Sequence, residues 1–115
     1  MSQLFEKQIM QSTTSYIIMW QFRVQKGSEQ EFERVYGAEG DWVKFFRSGE
    51  GYLGTMLYRD TEESGSYLTV DTWTSKEAYD SFQAARKNEY EELDRKCGAL
   101  TESEKLLGSY IQRAQ

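Results

Sequence analysis

The sequence predicts an α+β domain in which strands and helices follow the order β-α-β-β-α-β. Three observations indicate this fold class. Apolar residues alternate at strand spacing in separate stretches, capping residues precede apolar positions at helical spacing, and a last apolar run follows the second helical region. A chain of 115 residues provides one domain with one core. We expect that domain to span residues 15–115, preceded by a flexible polar segment at residues 1–14.

The first strand is predicted over the stretch YIIMWQFRV, which is rich in β-branched and aromatic residues. One of its faces is fully apolar. The other face is mixed, since it carries Ile17 and Met19 together with Gln21 and Arg23. Because both faces contain apolar residues, we expect both faces to be covered.

The first helical region is predicted to begin at Ser28, because Glu31 follows at the spacing of a capping box. Gly40 interrupts this region, and Asp41 can cap a second helical stretch. That second stretch carries three aromatic residues at helical spacing, Trp42, Phe45 and Phe46. The sequence therefore predicts two helical stretches separated by a kink or loop.

The two middle strands are predicted in GYLGTMLYRD and YLTVDTW, joined by the turn-rich TEESGS. They should form an antiparallel hairpin. Thr74 and Glu77 repeat the capping-box spacing, so one helix is predicted to follow the third strand almost without a loop. A last strand is predicted from about Leu106 to Gln112.

This order is that of the ferredoxin-like βαββαβ fold, with a four-stranded antiparallel sheet and both helical regions on one face. The helices then leave the other sheet face without cover from its own chain. A second copy paired by two-fold symmetry is the commonest way to cover such a face. We therefore expect a homodimer whose sheets pack face to face.

The composition excludes several classes of function. A net charge of −5 with scattered Lys and Arg residues does not suit a phosphate backbone, so nucleic acid is not an expected partner. The first residues lack the apolar run of a signal peptide or spanning helix, so we expect no membrane partner and a cytoplasmic location. The chain contains no His, which removes the commonest metal ligand and the usual general base; no metal site is predicted.

Asp71 is the first candidate catalytic residue. It lies inside the third predicted strand and shares a face with Tyr67, Thr69 and Trp73. A buried carboxylate there needs a partner, such as Arg23 or a backbone donor. Three roles stay open for Asp71: a general base with a raised pKa, a structural acceptor that holds the next helix, or a dimer contact.

Arg23 and Tyr58 are the other candidate catalytic residues. Arg23 could bind an oxyanion through its forked guanidinium, or it could form a salt bridge at the surface or the dimer interface. Tyr58 closes the second strand and could donate a hydrogen bond or relay a proton, or it could be half-buried packing with its hydroxyl in water.

Five aromatic residues are candidates for the wall of a substrate cavity. They are Trp20, Trp42, Phe46, Trp73 and Phe82. The alternative is that they belong to the core, since an aromatic stripe at helical spacing usually does. Trp42 is the strongest candidate of the five because it follows the break at Gly40.

Four stretches, taken together, resemble a known family. They are YIIMWQFRV with KGSEQEFE, GDWVKFFRSGEGYLGT, YLTVDTWTSKEAYDSF and LTESEKLLGSY, and they cover about Tyr16 to Tyr110. In these stretches the chain resembles the antibiotic biosynthesis monooxygenase domains of the dimeric α+β barrel superfamily. The resemblance implies the ferredoxin-like fold, a homodimer, and a monooxygenase that needs no cofactor and uses dioxygen on an aromatic or polyketide-like small molecule.

Such a monooxygenase relies on a substrate acidic enough to lose a proton and then reduce oxygen itself. The protein contributes a dry aromatic cavity, a donor or cation for the developing oxyanion, and a route for the proton. Haem-degrading relatives are excluded, since they bind haem iron through a helix-borne His that this chain lacks. Two alternatives stay open: a ligand-binding or stress-related barrel without catalysis, and a small-molecule isomerase or lyase with Asp71 as base.

Overall fold

The computed structural model describes residues 15–113. The predicted flexible segment at residues 1–14 lies outside this range. The described chain contains eight helices and strands, joined by short loops and one 3-10 turn at Gly98–Leu100. In chain order they are β1 Tyr16–Val24, α1 Glu29–Tyr36, α2 Asp41–Phe46, β2 Tyr52–Arg59, β3 Ser66–Trp73, α3 Lys76–Ala85, α4 Lys87–Cys97 and β4 Thr101–Ile111.

The four strands form one antiparallel sheet in the order β2-β3-β1-β4. This confirms the predicted α+β class and the ferredoxin-like arrangement. β1 lies inside the sheet, where Trp20 pairs with Thr69 of β3 on one side and with Leu106 of β4 on the other. The alternation of buried and partly exposed residues along β1 and β3 follows the period of two expected of strands with two different faces.

The core lies between the helices and one face of this sheet. Its centre is aromatic: Phe32 of α1 and Trp73 of β3 are fully buried. Phe22 of β1 contacts Phe32 with ring centroids 5.3 Å apart, and Phe32 stacks on Tyr36 at 4.2 Å. Burial of these large rings stabilises the domain.

The opposite sheet face is not covered by any described residue. Met56 is 57% exposed, Tyr58 48% and Tyr110 52%, although all three are large apolar or aromatic side chains. The strand register places them on the same face as Ile17, Met19, Leu68 and Val70. We call this set of residues the open face. It matches the uncovered face that the element order predicts.

Both predicted capping boxes are wrong in detail. Ser28 makes no side-chain cap to the described helix, and Glu31 binds Arg34 through two hydrogen bonds of 2.9 and 2.6 Å. At α3 the cap is Ser75, whose Oγ accepts a 3.0 Å hydrogen bond from the Ala78 N–H. The helix therefore begins one residue later than expected, and it still leaves a tight junction with β3.

The second helical region also differs from the prediction of one helix. It breaks at Arg86, whose backbone dihedrals of −120° and 30° are not helical. The guanidinium of Arg86 donates a 2.7 Å hydrogen bond to Ser48 Oγ. It also lies over the rings of Phe45 and Phe82, with its central carbon 5.4 and 5.8 Å from their centroids.

β4 is longer than predicted and begins at Thr101. Among residues 15–113, no helix has the length and apolar character needed to span a bilayer.

Candidate functional site

A cavity of about 40 Å³ lies on the helix side of the sheet, and with its solvent-facing mouth it encloses about 450 Å³ of unfilled space. Six aromatic side chains form most of its wall: Trp20, Phe22, Tyr36, Trp42, Phe46 and Tyr90. The inner rings are buried, whereas Trp20 and Tyr90 are only partly so. The site is therefore a largely apolar pocket with two partly exposed aromatic rings in its wall.

Trp42 is the central ring of this wall. Its centroid lies 5.1 Å from Tyr90, 5.7 Å from Phe46 and 6.1 Å from Tyr36. Gly40 permits this placement, because a Cβ at that position would lie 2.2 Å from the carbonyl oxygen of Val35. The absence of a side chain at Gly40 thus lets α2 start directly against the end of α1, so that Trp42 reaches the sheet.

A chain of three polar groups connects β2 and β3 beside the cavity. Thr55 Oγ1 donates a 2.7 Å hydrogen bond to Asp71 Oδ1, and Tyr52 Oη lies 2.6 Å from Thr55 Oγ1. Since the Thr55 hydroxyl has one proton and gives it to the carboxylate, Tyr52 is the donor to Thr55. The chain therefore runs from the Tyr52 phenol through the Thr55 hydroxyl to the Asp71 carboxylate.

A β-bulge places this chain on one face of the sheet. Tyr52 pairs with Trp73 and Thr55 pairs with Asp71, so three residue steps along β2 oppose two steps along β3. The irregularity lies between Tyr52 and Gly54. A regular strand would turn side chains three positions apart to opposite faces, whereas the extra residue keeps Tyr52 and Thr55 on the helix side.

Asp71 is buried, with 8% of its surface exposed, and it lines the cavity. Its Oδ1 accepts from Thr55, while none of the described residues donates a hydrogen bond to Oδ2. Burial raises the pKa of Asp71 to about 6, and the hydrogen bond from Thr55 opposes that rise. At neutral pH the carboxylate is therefore mostly ionised, yet it is a stronger base than an exposed Asp.

Two more carboxylates lie at the mouth of the cavity, Asp94 on α4 and Glu104 on β4. Both residues are exposed. Partial burial raises the pKa of Glu104, and the charge of Asp94 raises it further. No Lys or Arg is among the described residues that line the cavity. The electrostatic character of the site is therefore acidic.

Four predicted site residues, Trp20, Trp42, Phe46 and Asp71, line this cavity. Two other predicted substrate contacts do not. Trp73 has no exposed surface and packs against Phe46, Tyr52, Tyr79 and Phe82. Phe82 is buried behind it, with its ring centroid 5.2 Å from that of Trp73 and 5.0 Å from that of Phe45. In the structure both residues belong to the core.

Arg23 and Tyr58 lie on the other side of the sheet from the cavity. Arg23 forms a 2.8 Å salt bridge with Glu63, and Tyr58 is half-exposed on the open face. The expected pairing of Arg23 with Asp71 does not occur, since alternation along β1 and β3 sends these two side chains to opposite faces. The structure thus brings Asp71 together with the aromatic wall, and it leaves Arg23 and Tyr58 outside.

The residues of the site that the sequence reasoning missed include Phe22, Tyr36, Thr55, Thr69, Asp94 and Glu104. A signal for Thr55 existed in Gly54, because glycine inside a strand often marks a bulge. Asp94 and Glu104 had no comparable signal, since exposed carboxylates are common on helices and edge strands. Within residues 15–113, no cluster of Asp, Glu or Cys has the arrangement needed to hold a metal ion.

Comparisons with known proteins agree with this architecture. Residues 15–89 match the family model described as antibiotic biosynthesis monooxygenase. No curated protein sequence matches the chain. The fold is similar to that of SnoaB, a cofactor-independent oxygenase from Streptomyces nogalater, at 19% identity and a TM-score of 0.65, over 89% of this chain and 96% of SnoaB.

Two further solved structures share the fold. PA3566 from Pseudomonas aeruginosa is 17% identical with a TM-score of 0.63, over 90% of this chain and 98% of its own. A conserved protein from Methanosarcina mazei is 15% identical with the same TM-score of 0.63, over 91% of this chain and 97% of its own. At these identities the structural similarity establishes the fold.

Proposed function

The chain belongs to the antibiotic biosynthesis monooxygenase family, and from this we propose that it is a cofactor-independent monooxygenase acting on a small aromatic substrate. One observation carries the proposal. Asp71 is a buried carboxylate that lines an aromatic cavity, and its Oδ2 accepts no hydrogen bond from the described residues. Such a group is suited to accept a proton from a bound ring.

In the proposed reaction, Asp71 Oδ2 accepts a proton from an acidic C–H or O–H of the substrate. The resulting carbanion or phenolate transfers one electron to dioxygen, and the two radicals combine to form a carbon-bound peroxide. Asp71 returns its proton to the peroxide anion, and the resulting hydroperoxide loses water and leaves a carbonyl, so a CH₂ group and O₂ become C=O and H₂O. The substrate supplies the electrons, and the protein supplies the base and the cavity.

Thr55 and Tyr52 have a positioning role in this scheme. The hydrogen bond from Thr55 holds Asp71 Oδ1, and the hydrogen bond from Tyr52 holds the Thr55 hydroxyl, so together they fix the orientation of the carboxylate. Burial raises the pKa of Tyr52, which keeps its phenol protonated and able to donate at neutral pH. The aromatic wall formed by Trp20, Trp42 and Phe46 would hold a planar ring by stacking and exclude water.

We further propose that the chain forms a homodimer through its open face. Met56, Tyr58 and Tyr110 are about half exposed there, and a contiguous apolar patch of this kind marks an interaction surface. In this arrangement Arg23 and Tyr58 are interface residues instead of catalytic ones. The cytoplasmic location stays a prediction from the sequence.

A second candidate function is ligand binding without turnover. The cavity volume of about 40 Å³ favours it, because such a space holds a few water molecules and not an aromatic ring. Oxidation requires that the ring occupy the mouth as well, where it would lie against the partly exposed Trp20 and Tyr90.

Oxygen uptake separates these functions. Purified protein is mixed with anthrone in air, in a chelator-treated buffer without flavin, and oxygen consumption is recorded. The proposal predicts uptake above background, reduced about 10²- to 10⁴-fold in Asp71→Asn and unchanged in the control Arg23→Ala. Wild-type uptake at background would contradict the proposal. If oxygen uptake stays at background but a substrate C–H exchanges with D₂O in a reaction that needs Asp71, the isomerase or lyase alternative replaces the oxygenase proposal.

A further inference from the structure

The acidic lining of the cavity bears on the class of substrate. Asp71, Asp94 and Glu104 contribute three carboxylates from three different elements. None of the three forms a salt bridge with a described residue. The cations of the described chain that form ion pairs do so elsewhere, in the pairs Arg23–Glu63, Arg34–Glu31, Arg47–Glu39, Lys76–Asp80 and Arg86–Glu89.

Asp71 distinguishes this arrangement from an ordinary group of surface carboxylates. More than nine-tenths of the residue is buried, and its Oδ2 lacks a donor among residues 15–113. Oδ2 is not among the fully enclosed side-chain atoms of the described residues that lack a hydrogen-bond partner, so the cavity leaves it accessible to a ligand. The negative charge of Asp71 favours a cationic ligand, such as one that bears an ammonium group.

The aromatic wall adds a second feature that suits a cation. Trp42 and Tyr90, with ring centroids 5.1 Å apart, line the same cavity as the carboxylates, and Trp20 is partly exposed at its mouth. The faces of such rings attract ammonium groups, most strongly for Trp. Aromatic walls combined with carboxylates are a general solution for binding organic cations.

The proposed reaction leads to the same requirement. Removal of a proton by Asp71 neutralises its carboxylate and transfers the negative charge to the substrate, in a cavity whose described lining also contains Asp94 and Glu104 and no Lys or Arg. A positive charge on the substrate would offset that repulsion, and a second negative charge would increase it.

We propose, on the basis of the function above, that the cavity is selective for aromatic ligands bearing a protonated amine and discriminates against aromatic carboxylates. The amine is placed at the mouth, between Asp94 and Glu104. The ring lies against Trp20, Trp42 and Tyr90. Asp94 and Glu104 are then specificity residues, and they take no part in proton transfer.

The test uses three ligands of nearly equal shape: benzylammonium, benzyl alcohol and benzoate. Binding is measured by ligand-observed and protein-observed NMR at pH 7.5, with no oxidation required, so a failure of the oxygenase proposal leaves this test intact. The inference predicts that benzylammonium binds most tightly and benzoate most weakly. Equal binding of benzylammonium and benzoate, or no binding of benzylammonium at millimolar concentration, would overturn it.

Charge substitutions locate the effect at the mouth. Glu104→Gln should weaken benzylammonium binding roughly two- to fivefold, as expected for loss of one exposed charge pair, and leave benzyl alcohol unchanged. Glu62→Gln is the matched control, since it removes the same charge from an exposed turn between β2 and β3. If both variants changed benzylammonium binding equally, net charge and not the cavity would be responsible, and the proposal would be wrong.

Discussion

Thr55 and Asp71 face each other across the β2–β3 pair, and the Thr55 hydroxyl donates a 2.7 Å hydrogen bond to the Asp71 carboxylate. This contact stabilises the ionised form of Asp71, whereas burial destabilises it. Burial is the larger effect, which leaves the pKa at about 6. The balance between these two effects gives a buried strand residue the properties of a general base.

The first prediction concerns stability and pH. The pKa of Asp71 rises from 3.8 to about 6 on folding, so ionisation of Asp71 opposes folding as pH rises from about 4 to above 6. Asp71→Asn should therefore become more stable than the wild type over this window, by about 3 kcal/mol at pH 7. Urea unfolding at pH 4 and pH 7 measures the difference.

Asp60 provides a control, because its ionisation has the opposite effect on the stability of the fold. The Glu62 and Glu63 N–H groups hold the pKa of Asp60 below its usual value, so its stabilising contribution is present at neutral pH and is lost as pH falls through that lowered pKa. Asp60→Asn should consequently be less stable than the wild type at pH 7. A gain in stability for both variants would contradict the electrostatic account of Asp71.

The second prediction concerns the pH dependence of the proposed reaction. If ionised Asp71 is the base, kcat/KM should rise with pH through an apparent pKa near 6. Thr55→Val removes the hydrogen bond that lowers this pKa, so the rising limb should move to higher pH. Thr72→Val is the matched control, because Thr72 follows Asp71 on the other face of β3. Equal shifts in both variants would show that the hydrogen bond is not responsible.

The third prediction concerns the packing that positions Trp42. A Cβ at Gly40 would lie 2.2 Å from the Val35 oxygen, so Gly40→Ala must displace the start of α2. We expect a loss of roughly 1–3 kcal/mol in the free energy of unfolding. Gly98→Ala is the control, because a Cβ there meets no atom within 4 Å. Chemical denaturation of both variants checks this, and equal stabilities would refute the steric argument.

The fourth prediction concerns the open face. Met56→Lys places a charge on the apolar surface that we propose for dimerisation. Sedimentation velocity at micromolar concentration should show a dimer for the wild type and a monomer for Met56→Lys. Asn88→Lys, an exposed substitution on α4, should stay dimeric. A wild-type protein that sediments as a monomer would exclude the proposed dimer.

The strands could be predicted from sequence because their side-chain period is visible in the chain. Tyr16, Ile18 and Phe22 of β1 alternate with less buried residues as expected. Helix starts were less certain, because capping depends on local competition. Glu31 binds Arg34 instead of closing a capping box, and Ser75 takes the position expected of Thr74. A side chain with several partners nearby cannot be assigned from spacing alone.

The candidate site was only partly predictable for related reasons. Asp71 was recognised because a carboxylate inside a strand pattern is unusual. Its partner Thr55 was not recognised, since the bulge before Gly54 changes which β2 side chains face the helices. Alternation places Arg23 and Asp71 on opposite faces once β1 and β3 are paired. Thus strand register, which depends on the whole sheet, decides which polar residues meet.

The most direct test of a proton-accepting Asp71 is a titration of its carboxyl carbon by ¹³C NMR in the folded protein. With Asp71→Asn used to assign the resonance, the account predicts an apparent pKa of about 6. It also predicts a shift to still higher pH in Thr55→Val. An apparent pKa near the ordinary value of 3.8 would contradict the account, because Asp71 would then be a weak base, like an exposed carboxylate.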